Sequence, residues 1–545
     1  MSLTRWVHPA CAHVLLITAL VAMTALSAPA ALAAAGDALD FESRTLTDVL
    51  LQEPPQLDST KATDQVSTMV LGHVMEALTR YDATGALIPG VAERWEIRAD
   101  GATFWLREDA RWSDGEPVTA HDFVFAWRNV VDPATASQYA FILSGIDNAD
   151  TINEGDAPVE SLGARAVSDR VLEVDFERPI PYFARLVAFA TFYPLREDFY
   201  RAREGRYAAD AEDMLFNGPF TITRWDHGAR LHMKKNPQYW DRENIWLNAI
   251  HYDYITSDTS ALLNLFKDGR IALAPLDSET MQEALRNRWR ILSFDDGSVW
   301  YTEFNHRDGR PTASYHLRRA LALAFDPYEF TNRIVATPGN RPGMSIFPVW
   351  LRGQEDRLRQ EVPPRPPQID FVEARRQLEL AKEELGVDEI PPLVLLTGDS
   401  AVANKQAEFL QTLWGDALGL NIRIDKQIFK QRLEKMTAGE FDMVAAGWGP
   451  DYNDPLTFGD LFASWNLNNR GRYSNPDLDA CVRRAQSSND AAERVQAFGC
   501  IQHELLDHHA IIPTYERASI YVVQPQLRGF VRSAIGPNID YTRAW

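Results

Sequence analysis

The chain has 545 residues, of which 45% are hydrophobic and 24% charged. That length exceeds what one hydrophobic core supports and implies two or three domains. The formal net charge of -21 argues against nucleic acid or an anionic membrane surface as a partner, since phosphate-rich surfaces recruit Lys and Arg.

The first segment reads as a secretory signal over residues 1–33. Arg5 supplies a short positive region, Val14 to Leu26 an apolar run, and Ala31-Leu32-Ala33 an A-x-A site, so cleavage is expected near Ala33. The run is interrupted by Thr18 and Thr24 and is short for a membrane span. An exported chain released into the periplasm is therefore expected, with Cys11 removed alongside the signal.

The first half is strand-rich. Thr103 to Arg107 alternates apolar and polar residues, and a charged turn follows at Trp112-Ser113-Asp114-Gly115-Glu116-Pro117. Thr119-Ala120-His121-Asp122 has the form of a capping box and opens a helix from Phe123 to Val130. Leu172 to Phe176 is a second alternating strand, and Ala261 to Phe266 is helical.

The second half carries the clearest pattern. Phe371 to Leu385 is helical, Leu393 to Leu396 a buried strand, and Val402 to Leu418 a helix. Asn421 to Ile428 alternates, Phe429 to Thr437 is helical, and Phe441 to Ala446 is a strand. This β-α-β-α-β order predicts an α/β fold with a mainly parallel sheet. Gly447-Trp448-Gly449-Pro450-Asp451-Tyr452-Asn453-Asp454-Pro455 follows its last strand, and ligands of open α/β sheets bind beyond the carboxyl ends of strands. Asp451 thus stands where a cationic group, such as a peptide amino terminus, would be received. An Asx turn beside a packed Trp is the alternative reading. Further on, Cys481 and Cys500 fall in two helical patterns joined by a short polar turn. They form either a bridge or two buried thiols, because sequence does not fix their separation.

The chain offers little for catalysis. His503-Glu504-Leu505-Leu506-Asp507 begins like H-E-x-x-H but ends in Asp, so His503, Glu504 and Asp507 make a weak case for a secreted metal-dependent hydrolase. Gly398-Asp399-Ser400 lacks the G-x-S-x-G elbow, and no Walker A loop or dinucleotide glycine pattern is present. No enzyme activity and no cofactor or metal is expected.

Several stretches together resemble the periplasmic oligopeptide-binding proteins of ABC importers (extracellular solute-binding family 5). They include Pro89-Gly90-Val91-Ala92-Glu93-Arg94-Trp95, Leu106 to Thr119, Pro181-Tyr182-Phe183, Asn217-Gly218-Pro219-Phe220, Lys235-Asn236-Pro237-Gln238-Tyr239-Trp240 and the run through Asp454-Pro455. The resemblance spans nearly the whole exported chain in consistent order. It implies a two-lobe clamshell of three domains: domain I from 36–75, 197–297 and 519–545, domain II from 76–196, and domain III from 298–518. It also implies a monomer that binds a short peptide and delivers it to an inner-membrane ABC permease. Other cargo, such as a murein peptide, an opine-like compound or a metal chelate, is the alternative within the family.

By the same resemblance, Asp451 pairs with the peptide α-amino group, and Gly447, Trp448 and Gly449 match the backbone segment that holds the peptide main chain. Tyr139, Tyr301, Glu303 and Phe429 fall at positions resembling side-chain pockets. The best-studied subgroup has an Arg six residues before the anchoring Asp and a His before a domain III helix, both serving the peptide carboxylate. Here those positions hold Ala445 and Ala403. Arg517 is the substitute cation that the sequence suggests.

Overall fold

The computed structural model describes residues 38–536 and 538–545. The expected signal segment, with Arg5, Cys11 and Ala33, lies outside them. Among the described residues no helix is long and apolar enough to cross a membrane.

Three sheets carry the architecture. The first has five strands in the order Leu39–Asp40, Thr45–Leu50, Ala249–Ile255, Arg230–Lys235 and Phe220–Asp226. The second has four antiparallel strands, Ala92–Arg98, Gly101–Leu106, Val171–Asp175 and Ala164–Ser168. Against it packs the helix Ala120–Val131, which buries Phe123, Trp127 and Val130. The capping box at its start is formed: Asp122 accepts from the Thr119 backbone N–H at 2.8 Å, pairing donors that a helix N-terminus otherwise leaves open.

The third sheet holds the predicted α/β unit. The strands Leu393–Gly398, Ile422–Gln427 and Met443–Trp448 are parallel, with the helices Ala401–Leu418 and Phe429–Ala438 between them in sequence and the helix Phe371–Leu385 before the first. The expectation of a mainly parallel sheet holds only for these three strands. Met443–Trp448 pairs antiparallel with Ile291–Phe304, which pairs antiparallel with Ile511–Val523, so the sheet is mixed. Local periodicity reports crossovers within one unit; it is blind to strands arriving from distant parts of the chain. The last parallel strand also begins and ends two residues later than its apolar run suggested, so that Gly447 and Trp448 belong to it.

The strands Ile291–Phe304 and Ile511–Val523 join the two lobes. At one end Ile520 and Val522 pack into a core with Leu262, Leu263 and Phe266. At the other, Phe304 and Ile512 pack with Leu321, Leu395 and Trp414. Trp414 is fully buried and its indole N–H donates to the Leu321 carbonyl at 3.1 Å. Each large apolar side chain so buried contributes about 1.5–3 kcal/mol. Between these cores the pairing breaks from Asp295 to Val299, opposite Ala518 and Glu516. Three residues face one there, a bulge that bends the ladder, and Gly297 supplies the left-handed backbone (φ 74°) it requires. The fold is a two-lobe α/β clamshell whose connecting strands kink between the lobes.

Candidate functional site

A cavity of about 950 Å³ lies between the lobes, near the upper end of the usual range for ligand pockets. Asp64, Gln65, Tyr139 and Phe189 line it from one side, and Phe429, Arg432, Trp448 and Asp451 from the other. The lobes touch around it. Arg470 donates from Nη2 to Gln138 Oε1 at 2.9 Å, and the Tyr182 and Tyr452 rings stack at 5.7 Å. All nine residues singled out in the sequence line this one cavity: Tyr139, Tyr301, Glu303, Phe429, Gly447, Trp448, Gly449, Asp451 and Arg517.

Asp451 follows the strand Met443–Trp448 by three residues. Its carboxylate accepts from the Tyr139 hydroxyl at 3.0 Å, and the Thr457 hydroxyl lies 3.5 Å from its other oxygen. Thr457 also accepts from the Asp451 backbone N–H at 2.9 Å, which fixes the turn. Enclosure by protein pushes the Asp451 carboxyl up to about 8, against the weaker pull of those two hydroxyls. Among the described residues no cation contributes to holding it ionised. Asp454, three residues on, differs: it is buried and gripped by Arg494 through two hydrogen bonds of 2.6 and 2.9 Å.

The backbone beside Asp451 forms a strand edge. Leu393–Gly398 pairs with Met443–Trp448 only at Met443 and Val444, and Ala446, Gly447, Trp448 and Gly449 beyond that point line the cavity. A methyl group on Gly447 would sit 2.8 Å from the Trp300 indole, so glycine is what lets that ring approach the strand. Among the described residues the Trp300 and Trp448 indole N–H groups find no partner and are both buried, an arrangement expected where a ligand supplies the acceptor.

The other selected residues differ in their commitments. Tyr301 packs edge-on against Phe462 at 5.4 Å. Glu303 accepts from the Gly471 N–H at 2.5 Å, and burial raises its carboxyl to about 7. Arg517, the substitute cation that the sequence suggests, lines the cavity and is paired: its Nε is bound to Asp296 at 2.5 Å, across the kink in the connecting strands.

The hydrolase triad does not assemble. The His503 side chain is exposed, Glu504 accepts from Asn475 at 2.9 Å and faces His508 at 3.2 Å, and Asp507 pairs with Arg365. Ser400, of the Gly398-Asp399-Ser400 stretch, instead caps the helix Ala401–Leu418 by accepting from the Ala403 N–H. Among the described residues the one grouping with metal-ligand spacing is His232, His251 and Asp253, on the five-stranded sheet away from the cavity. Cys481 and Cys500 are joined as a disulfide, with Cα atoms 5.9 Å apart, between the helices Pro476–Ser487 and Ala491–Asp507.

The model of the bacterial extracellular solute-binding proteins, family 5 (middle region), matches residues 86–469. The chain belongs to this family. Over 527 residues this family 5 protein is 30% identical to the periplasmic oligopeptide-binding protein OppA of Salmonella typhimurium, with 94% of each chain covered. The substrate-binding domain of an oligopeptide ABC transporter from Bacillus anthracis is 33% identical and superposes with a TM-score of 0.87 over 92% of this chain and 98% of that one. OppA of Listeria monocytogenes, solved bound to peptide, is 31% identical, with a TM-score of 0.86 over 92% and 99%.

Sequence reasoning about this family 5 protein missed Thr457, Trp300 and Arg432. Thr457 had a weak signal, six residues after Asp451 in the same turn. Trp300 had none, because it meets the Met443–Trp448 strand from a strand distant in sequence; Arg432 sits on the helix just before that strand, but nothing in its helical pattern shows its guanidinium against the Ala445 carbonyl.

Proposed function

We propose that this protein is the exported binding component of an ABC importer, which encloses a short peptide between its lobes and delivers it to an inner-membrane permease. The single observation that carries this reading is Asp451, a carboxyl enclosed at a cavity wall with two hydroxyl partners and, among the described residues, no cation. Enclosing an unpaired carboxylate is costly, and a peptide α-ammonium arriving there restores the ionised form. The open strand edge at Ala446–Gly449 supports main-chain recognition by strand addition, which binds peptides without reading their side chains. Tyr139, Tyr301, Glu303 and Phe429 form the walls for those side chains, and Gly447 and Gly449 keep the edge accessible.

In this reading the protein works as a monomer in the periplasm after cleavage near Ala33, and performs no chemistry on its ligand. Its domains are 36–75 with 197–297 and 519–545, then 76–196, then 298–518. Closure is driven by the ligand's preference for the closed form. The test is thermal unfolding of the purified protein with pools of peptides two to eight residues long. Peptides at a hundred times their Kd add about 2.7 kcal/mol to stability. If no peptide pool raises Tm while a murein peptide, an opine-like compound or a metal chelate does, the cargo is one of those instead.

A further inference from the structure

One face of the five-stranded sheet carries a cluster that peptide binding does not use. His232, on the strand Arg230–Lys235, stands directly opposite His251 on the strand Ala249–Ile255. Their neighbours Leu231, Met233, Ile250 and Tyr252 are buried in the core, so alternation turns the two imidazoles to the other face. The rings stack with centroids 4.1 Å apart and 20° between their planes. Asp253 follows His251 on the same strand, and its carboxylate lies 2.8 Å from His232 Nε2. The pairing of this strand with Thr45–Leu50 passes from Tyr252 to Tyr254 and skips Asp253, a bulge of the kind that re-aims a side chain. Here it aims a carboxylate at an imidazole of the next strand.

One donor atom from each of the three side chains lies within 4.8 Å of the other two. Ligands held at about 2.0–2.1 Å around a tetrahedral ion stand ~3.3 Å apart, so the donors need to close by ~1.5 Å at most, within reach of side-chain rotation. The His232 side chain is 18% exposed and that of Asp253 33%, which leaves a path from solvent and room for a water to complete the coordination. A plain His–Asp pair accounts for His232 and Asp253. It leaves the stacked His251 without a role, since among the described residues that ring makes no hydrogen bond. Arg224, opposite His232 on its other side, is engaged by Asp226 at 2.6 Å, so its charge is answered before it can repel a cation. None of the three residues lines the cavity between the lobes.

We propose that His232, His251 and Asp253 form a binding site for a divalent transition-metal ion, Zn²⁺ by its ligand set, on the five-stranded sheet and separate from the peptide cavity. Two imidazoles and one carboxylate suit Zn²⁺, and also Cu²⁺ or Ni²⁺, over Mg²⁺ and Ca²⁺, which prefer oxygen alone. An ion held by both strands would tie them together, and binding to the folded chain alone stabilises it by mass action. No motif announces the site in the sequence, because register across two strands, not spacing along one, brings the ligands together. The inference does not depend on the peptide reading.

The experiment is titration of Zn²⁺ into the whole mature protein without a histidine tag, read by calorimetry and by thermal unfolding, with Co²⁺ as an optical probe. Wild type should bind about one Zn²⁺ per chain and unfold at a higher temperature with it. Co²⁺ in the same site should give the intense visible absorption of tetrahedral coordination, and Zn²⁺ should bleach it. His251→Gln and Asp253→Asn should each weaken Zn²⁺ binding by about tenfold or more, and the triple variant His232→Gln, His251→Gln, Asp253→Asn should abolish it. Unfolding of the metal-free variants shows that each is folded. His227→Gln and His503→Gln remove exposed histidines outside the cluster and should leave the affinity within about twofold. Absence of saturable Zn²⁺ binding by wild type would overturn the proposal. So would binding that the triple variant retains, or binding that His227→Gln or His503→Gln abolishes.

Discussion

Replacing Asp451 by Asn should separate function from stability, because the same enclosed carboxyl serves one at the expense of the other. Asn keeps the shape and can still accept from Tyr139, but it cannot ionise against a ligand ammonium. Removing one partner of an enclosed charge pair costs about 3–5 kcal/mol, so Kd should rise by about two to three and a half orders of magnitude at ~1.4 kcal/mol per tenfold. The unliganded protein should respond in the opposite sense. The carboxyl sits near 3.8 in the unfolded chain and about 8 in the folded one, so the folded state holds a proton that the unfolded state has released between those values. Asp451 therefore lowers stability progressively as pH rises from about 4 to about 8, with a slope of at most ~1.4 kcal/mol per pH unit. Asn carries no such slope. Calorimetric unfolding of both proteins without peptide, at pH 5 and pH 8, should show the variant gaining on wild type at the higher pH. Titration at pH 7 should show the loss of affinity. Peptide binding within threefold of wild type, or an N-acetylated peptide that binds wild type as well as its free-amine twin, would refute the reasoning.

Other outcomes follow from the same geometry. Below about pH 8 both the Asp451 carboxyl and a peptide amine carry protons, and their ion pair needs only one; binding then releases a proton, and affinity should rise by up to tenfold per pH unit towards a maximum near 8. Isothermal titration in buffers of different ionisation enthalpy reads that proton directly, and a flat profile from pH 6 to 8 would contradict it. Gly447→Val should weaken peptide binding and also lower stability by about 1–3 kcal/mol, because its side chain would displace Trp300, whose nearest ring atoms lie 2.8 Å from a Cβ at that position; indole fluorescence should shift with it. Reducing the Cys481–Cys500 disulfide, which closes a loop of 19 residues, should lower stability by about 3 kcal/mol as seen in thermal unfolding, while peptide affinity stays within a few-fold, since neither cysteine lines the cavity.

The parts of this molecule legible in the sequence are those whose cause is local. The Thr119–Asp122 capping box, the helix–strand alternation from Phe371 to Trp448 and the Gly- and Pro-rich turn around Asp451 each involve residues a few positions apart. Capping, periodicity and turn chemistry act over that range. The joining strands Ile291–Phe304 and Ile511–Val523 were not legible, because their length and pairing are set by partners some two hundred residues away. Arg432 reads as the polar face of an ordinary helix until its guanidinium is seen against the Ala445 carbonyl. Arg517 shows the reverse: its sequence position near the site was visible, but its commitment to Asp296 was not. The two cysteines were ambiguous for the same reason, since a bridge depends on a Cα separation that no spacing along the chain determines.

The central claim, that an enclosed carboxylate captures a peptide by its free amine, is tested most directly by a crystal structure of the protein with a tetrapeptide. The account predicts the α-amino nitrogen within hydrogen-bonding distance of the Asp451 carboxylate, about 2.7–3.2 Å, with the main chain running along Ala446–Gly449. A peptide bound in the opposite direction, or with its amine in solvent and Asp451 facing an uncharged group, would contradict it.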